Sequence, residues 1–259
     1  MIVLSWSSYE TISISAALVH FSKQVTPSMW TTLLESFELV LYFDQQVWEI
    51  VGVSLQVSLT ALVIGTVIGL PLGGILATND FVGRKWLITI LNSLMNVPTV
   101  IIGVVIYLLL SRSGPLGSLG LLFSTTGMII AQSLITIPLI AAISRQIIAD
   151  GWAIHGETLK TLHLSNRSQI KWILWDCRFS LLLAVLAGFG RAISEVGTVM
   201  IVGGNIANST RTLTTAISLE TSKGDLPFAL ALGIVLISIV LMINLLASVM
   251  KHIAEKNYG

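Results

Sequence analysis

The chain has 259 residues, of which 54% are hydrophobic and only 10% charged, with a mean hydropathy of +0.88. Soluble domains carry about 25% charged residues, so this composition excludes an ordinary soluble protein and indicates an integral membrane protein. The net charge of +1 argues against nucleic acid as a partner, and the single cysteine, Cys177, excludes an internal disulfide and a cysteine-rich metal site.

An N-terminal segment, residues 1–46, precedes the first clear membrane span. Residues 1–22 lack a basic start and do not fit a cleavable signal peptide, and Met29 is an alternative start. Between Trp30 and Phe43 an apolar stripe surrounds Glu35 and Glu38. The stripe consists of Leu33, Leu34, Phe37, Val40 and Leu41. It predicts an amphipathic helix lying along the membrane surface, with an extra, irregular span as the alternative.

The first span is predicted within Ile50 to Asn79, which carries no charge and exceeds the roughly 20 helical residues that a bilayer requires. Gly65, Gly69 and Gly73 recur at four-residue spacing, and such a strip lets a neighbouring helix approach closely. Pro71 predicts a kink beside it. Tight helix packing is the simpler interpretation of the strip, and direct contact with a transported substrate is the alternative.

Four further apolar runs predict the remaining spans of an all-α protein with about five transmembrane helices. They lie within Trp86–Ser111 (containing Pro98), Leu121–Ile143 (containing Pro138), Cys177–Val199 and Leu226–Met250. A polar segment, Gly203 to Lys223, separates the last two, and residues 251–259 form a tail.

The stretch from Gly156 to Phe179 is the most polar interior segment of the chain. Basic and acidic side chains are interleaved in it with apolar residues at helix-like spacing. The charged residues are Glu157, Lys160, Arg167, Lys171, Asp176 and Arg178, and the apolar ones are Leu159, Leu162, Ile170, Ile173 and Leu174. A two-signed, partly apolar helical segment between two spans predicts a surface on which another protein docks.

The distribution of basic residues predicts the orientation. One side carries nine of them: Arg84, Lys85, Arg145, Lys160, Arg167, Lys171, Arg178, Lys251 and Lys256. The other side carries five: Lys23, Arg112, Arg191, Arg211 and Lys223. The positive-inside rule makes the first side cytoplasmic. The polar stretch and the C-terminus are therefore expected in the cytoplasm.

Motifs for catalysis and nucleotide binding are absent from the sequence. There is no GxxxxGK[ST] loop, no HExxH and no GxSxG, and the four histidines are scattered. The only candidate titratable pair within the spans is Arg191 and Glu195, which are four residues apart. A charge at bilayer depth costs about 2.5–3.5 kcal/mol on insertion scales. The pair is therefore expected to be a structural ion pair, or else a site where Arg191 helps an anion past an outer gate.

Four segments resemble a known family. Residues 157–163 (ETLKTLH), followed by ILWD at 173–176, resemble the cytoplasmic "EAA" loop of binding-protein-dependent ABC importer permeases of type I. The segments 188–206 (GFGRAISEVGTVMIVGGNI), 210–225 (TRTLTTAISLETSKGD) and 109–117 (LLSRSGPLG) resemble the oxyanion branch of that family. The similarity is greatest to the tungstate and molybdate permeases and covers about residues 35–247.

The chain departs from the family pattern at two positions. His163 stands where the family usually has glycine, and Asp176 stands where it usually has proline. Since His163 must then make a turn with a side chain present, Ser165 and Asn166 are predicted to cap the helix that follows, with Gln169 three residues after Asn166.

The resemblance implies a permease domain at residues 47–250 with no cofactor and no enzymatic activity of its own. Two copies would form the pathway in a bacterial or archaeal cytoplasmic membrane. A separate ATPase dimer would receive the coupling helix, and an extracytoplasmic binding protein would deliver the oxyanion. The implied ATPase-coupling residues are Glu157, Leu159, Leu162, His163 and Ser165, and the implied pathway or gate residues are Arg191, Glu195 and Gly197.

Other classes of membrane protein fit the sequence less well. A secondary transporter or channel would more often show internal repeats and intramembrane acids for ion coupling. A membrane enzyme would need a catalytic cluster, and a scaffold protein has no need of the EAA-like stretch. Within the importer class, sulfate or another oxyanion is the alternative substrate.

Overall fold

A computed structural model describes residues 29–42 and 44–258, whose regular elements are ten α-helices and one short 3₁₀ turn. The prediction for residues 1–28 lies outside the described part. The helices are α1 (Met29–Leu41), α2 (Gln45–Thr78), α3 (Arg84–Asn96), α4 (Thr99–Leu110), α5 (Thr125–Thr161), α6 (Asn166–Asp176), α7 (Arg178–Ile193), α8 (Gly197–Gly203), α9 (Leu213–Lys223) and α10 (Leu226–Tyr258).

Three helices, α2, α5 and α10, are each long and apolar enough to cross a membrane. Two further candidates are bent pairs: α3 with α4, at an angle of 99°, and α6 with α7, at 68°. The predicted all-α membrane fold with about five spans is confirmed when each bent pair counts as one span. Among the described residues, α2 continues through Pro71 and α5 through Pro138 without a break.

The second predicted span is not one helix. Helix α3 ends at Asn96, and α4 begins after Pro98 in a new direction. Proline has no backbone N–H and pushes the preceding residue out of the α region, and Val97 accordingly has an extended backbone with φ −64° and ψ 132°. Pro98, expected inside a span, stands instead at the corner between the two helices.

The end of the predicted fourth span also needs correction. Helix α7 ends at Ile193, and the chain resumes a helix only at Gly197. The segment treated as a polar connection contains the helix α9. Helix α10 continues into the predicted tail, residues 251–259, as far as Tyr258.

The first helix of the polar stretch is not a separate element. Helix α5 runs without interruption from the third predicted span to Thr161, so Glu157 lies within its last turns. At 1.5 Å per residue its 37 residues make a rod about 55 Å long. The polar stretch, treated in the sequence as a segment separate from the third span, therefore begins inside the same helix, which continues through Gly151 and Gly156.

The N-terminal helix α1 packs on the beginning of α10. Ser36 Oγ donates to the Pro227 carbonyl at 2.9 Å, and Thr32 and Ser36 are buried. The apolar stripe predicted for the membrane surface is divided: Leu34, Phe37 and Leu41 are exposed, whereas Val40 packs against the core cluster that contains Leu232 of α10. An interfacial position of α1 remains a prediction that this geometry accommodates.

Candidate functional site

Residues 157–165 comprise the end of α5 and the turn into α6, and they have the helix–turn–helix form expected of the coupling segment. We call this segment the turn at 157–165. His163 lies in the left-handed region with φ 50°, where a glycine would be unstrained. Its Nδ1 atom lies 2.8 Å from the Thr161 carbonyl oxygen. Ser165 caps α6 by accepting from the Ser168 N–H at 3.4 Å, and Gln169 Nε2 donates to the Leu164 carbonyl at 2.7 Å. His163 therefore makes the turn with its side chain held against the end of α5.

Helix α6 folds back onto the end of α5 around an apolar cluster. Leu159 is 2% exposed and packs with Ile148, Ile173 and Leu181. On the flank of this contact, His155 Nε2 lies 3.5 Å from Asp176 Oδ2. Leu159, predicted as a coupling residue, is thus a core residue that fixes the shape of the turn.

The tip of the turn presents an acid and two leucines to the surroundings. Glu157 is exposed and makes no ion pair within the described part of the chain. Leu162 is 62% exposed, and Leu164 is also exposed. Large apolar side chains grouped with charges on a protruding turn are typical of a protein-binding surface. Of the five predicted coupling residues, Glu157 and Leu162 are therefore the best placed to touch a partner.

The three glycines of the predicted strip lie on the face of α2 that packs against α5. A Cβ atom built on Gly65 would stand 2.8 Å from Thr136 Cγ2, and one on Gly69 would stand 3.0 Å from the Ile137 carbonyl oxygen. At Gly73 the Cβ would collide with Ser144 Oγ and would stand 2.6 Å from the Ala141 carbonyl oxygen. The geometry agrees with tight helix packing, because a Cβ at each of the three positions would meet α5.

The two helix breaks meet each other. Thr198 Oγ1, in the first turn of α8, donates to the Thr99 carbonyl at 2.7 Å, in the first turn of α4. Gly197 lies so close to Val100 that a Cβ would be 2.7 Å from Val100 Cγ2. We call the residues 96–100 and 194–198 together the break junction. Irregular backbone within a membrane is tolerated only where protein buries it or where it lines a water-filled cavity.

The predicted charge pair lies at this junction. Arg191 is in the last turn of α7, and its Nη2 lies 3.7 Å from Glu195 Oε2. Glu195 lies beyond the end of α7, so the two residues, four apart in sequence, do not belong to one helix. Glu195 is 4% exposed and accepts the Thr198 N–H at 3.1 Å, whereas the Arg191 side chain is 43% exposed. The carboxylate therefore holds the junction together, and the guanidinium faces outward.

The role of Glu195 can be tested by comparing two substitutions. We expect Glu195→Ala to lower the free energy of unfolding by about 1–3 kcal/mol, because the buried Thr198 N–H loses its acceptor. Glu195→Gln should cost less, since its amide oxygen can still accept that hydrogen bond. Thermal unfolding of the purified protein in detergent measures both. Equal losses in the two variants would contradict the assigned hydrogen bond.

A buried network of hydroxyl groups around the junction was missed by the sequence analysis. Thr214 Oγ1 donates to the Glu195 carbonyl at 2.7 Å, and Ser54 Oγ accepts the Leu213 N–H at 2.6 Å. Thr212 and Thr215 form a capping box at the start of α9. The threonine-rich run TRTLTT at 210–215 could have indicated this hydroxyl network. A threonine-rich segment between two spans is, however, equally typical of a solvated loop.

A polar groove of about 820 Å³ lies between the start of α2 and the segment from Asn208 to Phe228. Glu220 lines it, with its Oε1 2.9 Å from Lys223 Nζ and 4.0 Å from Arg211 Nη1. Glu49 and Asp225 also line it, so its formal charges nearly cancel. Because acidic and basic side chains both line it, the groove is better suited to contact with the polar surface of another protein than to the capture of a free anion. In the described chain, the groove included, no three His, Cys, Asp or Glu side chains are arranged to hold a metal ion.

Comparison with known proteins identifies relatives over most of the chain. No protein-family model matches it. The "Tungstate uptake system permease protein TupB" of Peptoclostridium acidaminophilum is 41% identical over 209 residues, which cover 81% of this chain and 92% of that protein. The "Probable anion ABC transporter permease protein" of Haloferax volcanii is 37% identical over 211 residues, covering 77% and 88%.

More distant similarity extends to sulfate permeases. The "Sulfate transport system permease protein CysW" of Synechocystis is 28% identical over 224 residues, covering 83% of this chain and 79% of that protein. The resemblance stated from the EAA-like stretch and its downstream segments is thereby confirmed. This chain belongs to the family of ABC transporter permease proteins that includes the tungstate uptake and anion transport permeases.

Proposed function

We propose that this chain is the membrane-spanning subunit of an ATP-driven importer of an oxyanion, and that the oxyanion is tungstate or its near-isostere molybdate. The observation that carries the proposal is the 41% identity to a tungstate uptake permease across 92% of that protein's length. Sulfate is the second candidate, supported by the 28% identity to a sulfate permease.

The proposed partners follow from the exposed turn and the polar groove of the chain, and from the absence of a nucleotide-binding motif in its sequence. Its sequence has no phosphate-binding loop, so ATP hydrolysis is assigned to a separate ATPase dimer that receives the turn at 157–165. The polar groove beside Glu220 is the proposed contact for an extracytoplasmic binding protein. A second copy of the chain completes the pathway. The positive-inside distribution supports a cytoplasmic turn and C-terminus in a bacterial or archaeal cytoplasmic membrane.

The coupling mechanism we propose uses α5 as a rigid lever. The exposed tip around Leu162 is continuous with a helix that packs along α2 through the glycine strip. Gln132, near the opposite end of α5, donates from Nε2 to the Ala192 carbonyl at 2.9 Å, at the end of α7 beside the break junction. Movement of the ATPase at the tip would therefore be transmitted through packed helices to the junction.

Arg191 and Glu195 are proposed to form the gate in this mechanism, with Gly197 allowing the close approach of α8 to α4. An exposed guanidinium beside irregular backbone can attract an anion, while Glu195 limits how strongly the anion is held. Arg191→Gln is expected to slow uptake while the protein still folds. Normal uptake by a folded Arg191→Gln permease would leave the pair with a structural role only.

Substrate selection is expected in the binding protein that delivers the anion. Calorimetric titration of that partner with tungstate, molybdate and sulfate tests the assignment. We expect tungstate or molybdate to bind more tightly than sulfate. Sulfate binding more tightly than both would overturn the proposed substrate while leaving the importer assignment intact.

A further inference from the structure

Helix α3 has three distinct faces. One packs into the protein through Leu87, Ile88 and Leu91, which contact Leu76 and its neighbours on α2 and α5. A second is apolar and exposed, with Trp86, Ile90 and Leu94 at 76%, 52% and 42% exposure. This second face is suited to lipid. The third face, described next, is neither packed nor apolar.

The third face carries four exposed polar residues at helical spacing: Thr89, Asn92, Ser93 and Asn96. Lys85, also exposed, continues the same face toward the start of the helix. Positions three and four apart lie above one another on a helix, so these side chains form one strip about three turns long. We call this strip the α3 polar face.

The α3 polar face leads to the break junction. Asn96 is the last residue of α3, and the next helix begins at Thr99, whose carbonyl accepts from Thr198. Thr198 is bound to Glu195, the partner of Arg191. A path along the α3 polar face therefore runs from the cation at Lys85 through uncharged polar groups to the junction that carries Arg191.

The composition of the strip argues against a helix that merely lies on the membrane surface. Surface helices carry a strongly charged polar face, rich in lysine and arginine. Here the four residues beyond Lys85 are amides and hydroxyls, and α3 contains no acid. The Thr89 and Ser93 hydroxyls donate to the Lys85 and Thr89 carbonyls within the helix, and Asn96 Nδ2 donates to the Asn92 carbonyl at 3.0 Å. The exposed Asn92 amide and the second amide hydrogen of Asn96 are left for an acceptor outside the helix.

We propose that the α3 polar face lines the route of the anion through the membrane, with Lys85, Asn92 and Asn96 as successive weak contacts for a tetrahedral oxyanion. This inference rests on the proposed importer function and adds the residues that would line its pathway. Conduction requires binding that is favourable enough for entry and weak enough for release. Isolated amide donors supply such binding, whereas a cluster of arginines would retain a doubly charged anion.

Single cysteines test the proposal, because Cys177 is the only native cysteine. Cys177→Ser and Cys177→Ala are compared, and whichever retains wild-type uptake becomes the background for Asn92→Cys and Asn96→Cys. Ile90→Cys and Leu94→Cys are the matched controls on the apolar face of the same helix. The full chain, with its ATPase and binding protein in proteoliposomes, is treated with the anionic thiol reagent methanethiosulfonate ethylsulfonate.

We expect the polar-face cysteines to react at least about tenfold faster than the controls, because only a thiol in contact with water ionises readily, and one unit of thiol pKa changes the thiolate fraction about tenfold. Labelling at Asn92→Cys should also block uptake of tungstate. Equal rates on the two faces would overturn the proposal. Full labelling at Asn92→Cys with unchanged uptake would also overturn it, since that is the behaviour of a surface helix.

A failure of the importer assignment gives a different result. In that case no variant, the cysteine-free background included, takes up tungstate, molybdate or sulfate with ATP. The oxyanion claim then falls together with the proposed function, and the labelling contrast alone decides whether the α3 polar face is in contact with water.

Discussion

Glu157→Lys and Leu162→Asp are each expected to abolish ATP-driven uptake while the permease remains inserted and folded. Both side chains project from the turn at the end of α5, and neither is part of the core beneath it. Loss of one central contact in a protein interface typically costs 2 kcal/mol or more, so we expect association with the ATPase to weaken about 30-fold or more. Uptake into proteoliposomes and binding of the purified ATPase measure the two effects.

Two control variants separate docking from general damage. Glu35→Lys makes the same charge reversal at an exposed position of α1 and should leave uptake unchanged. Leu162→Met keeps an apolar side chain at the tip and should retain most of the activity. Wild-type uptake by both Glu157→Lys and Leu162→Asp would show that the turn is only a loop.

Proline at Leu162 tests a different property of the same turn. The Leu162 N–H donates to the Thr158 carbonyl at 3.1 Å and closes the end of α5. Leu162→Pro removes this hydrogen bond, so it should uncouple ATP hydrolysis from transport by loosening the helix end. Aspartate at the same position leaves the backbone intact and changes only the exposed surface.

Gly73→Ala is expected to destabilise the permease strongly, whereas Gly74→Ala should be nearly neutral. A Cβ at Gly73 would stand 2.6 Å from the Ala141 carbonyl oxygen and 2.9 Å from the Arg145 amide nitrogen, so α2 and α5 would have to separate. Overpacking of this kind costs about 1–3 kcal/mol, and more when backbone must move. A Cβ at Gly74 would meet only Ile148 Cδ1, at 3.8 Å.

Thermal unfolding in detergent distinguishes the two glycine variants. We expect a fall of several degrees in Tm for Gly73→Ala and almost none for Gly74→Ala. Uptake by Gly73→Ala should fall as well, because the lever that we propose depends on the contact between α2 and α5. Identical Tm values for the two variants would contradict the packing assigned to the strip.

The unbroken spans were predictable from the sequence, and the broken ones were not. Helices α2, α5 and α10 each contain an uncharged apolar run longer than a bilayer requires, so their existence follows from composition alone. Pro98 and Pro138 each lie within an apolar run, and each lacks the backbone N–H that a helix interior needs. Nevertheless α5 continues through Pro138, whereas the chain turns by 99° after Asn96. Whether a proline bends a helix or ends it depends on the neighbours that accept the freed backbone groups.

The coupling turn and the junction were predicted to different extents. The EAA-like residues located the turn, and His163 was correctly expected to replace glycine at it. The length of α5 was missed because the change from apolar to polar residues near Glu157 looks like a boundary, although a helix can cross it. The contact between Thr99 and Thr198 joins residues 99 positions apart, and no local pattern encodes such a pairing.

The central claim is that this chain carries an oxyanion when a separate ATPase hydrolyses ATP. The direct measurement is tungstate uptake into proteoliposomes that contain the permease, its ATPase and its binding protein, with ATP supplied on the ATPase side. We predict uptake that requires all three proteins and ATP hydrolysis and that is lost in Glu157→Lys. Uptake that continues without ATP, or that an ion gradient drives in the absence of the ATPase, would contradict the account.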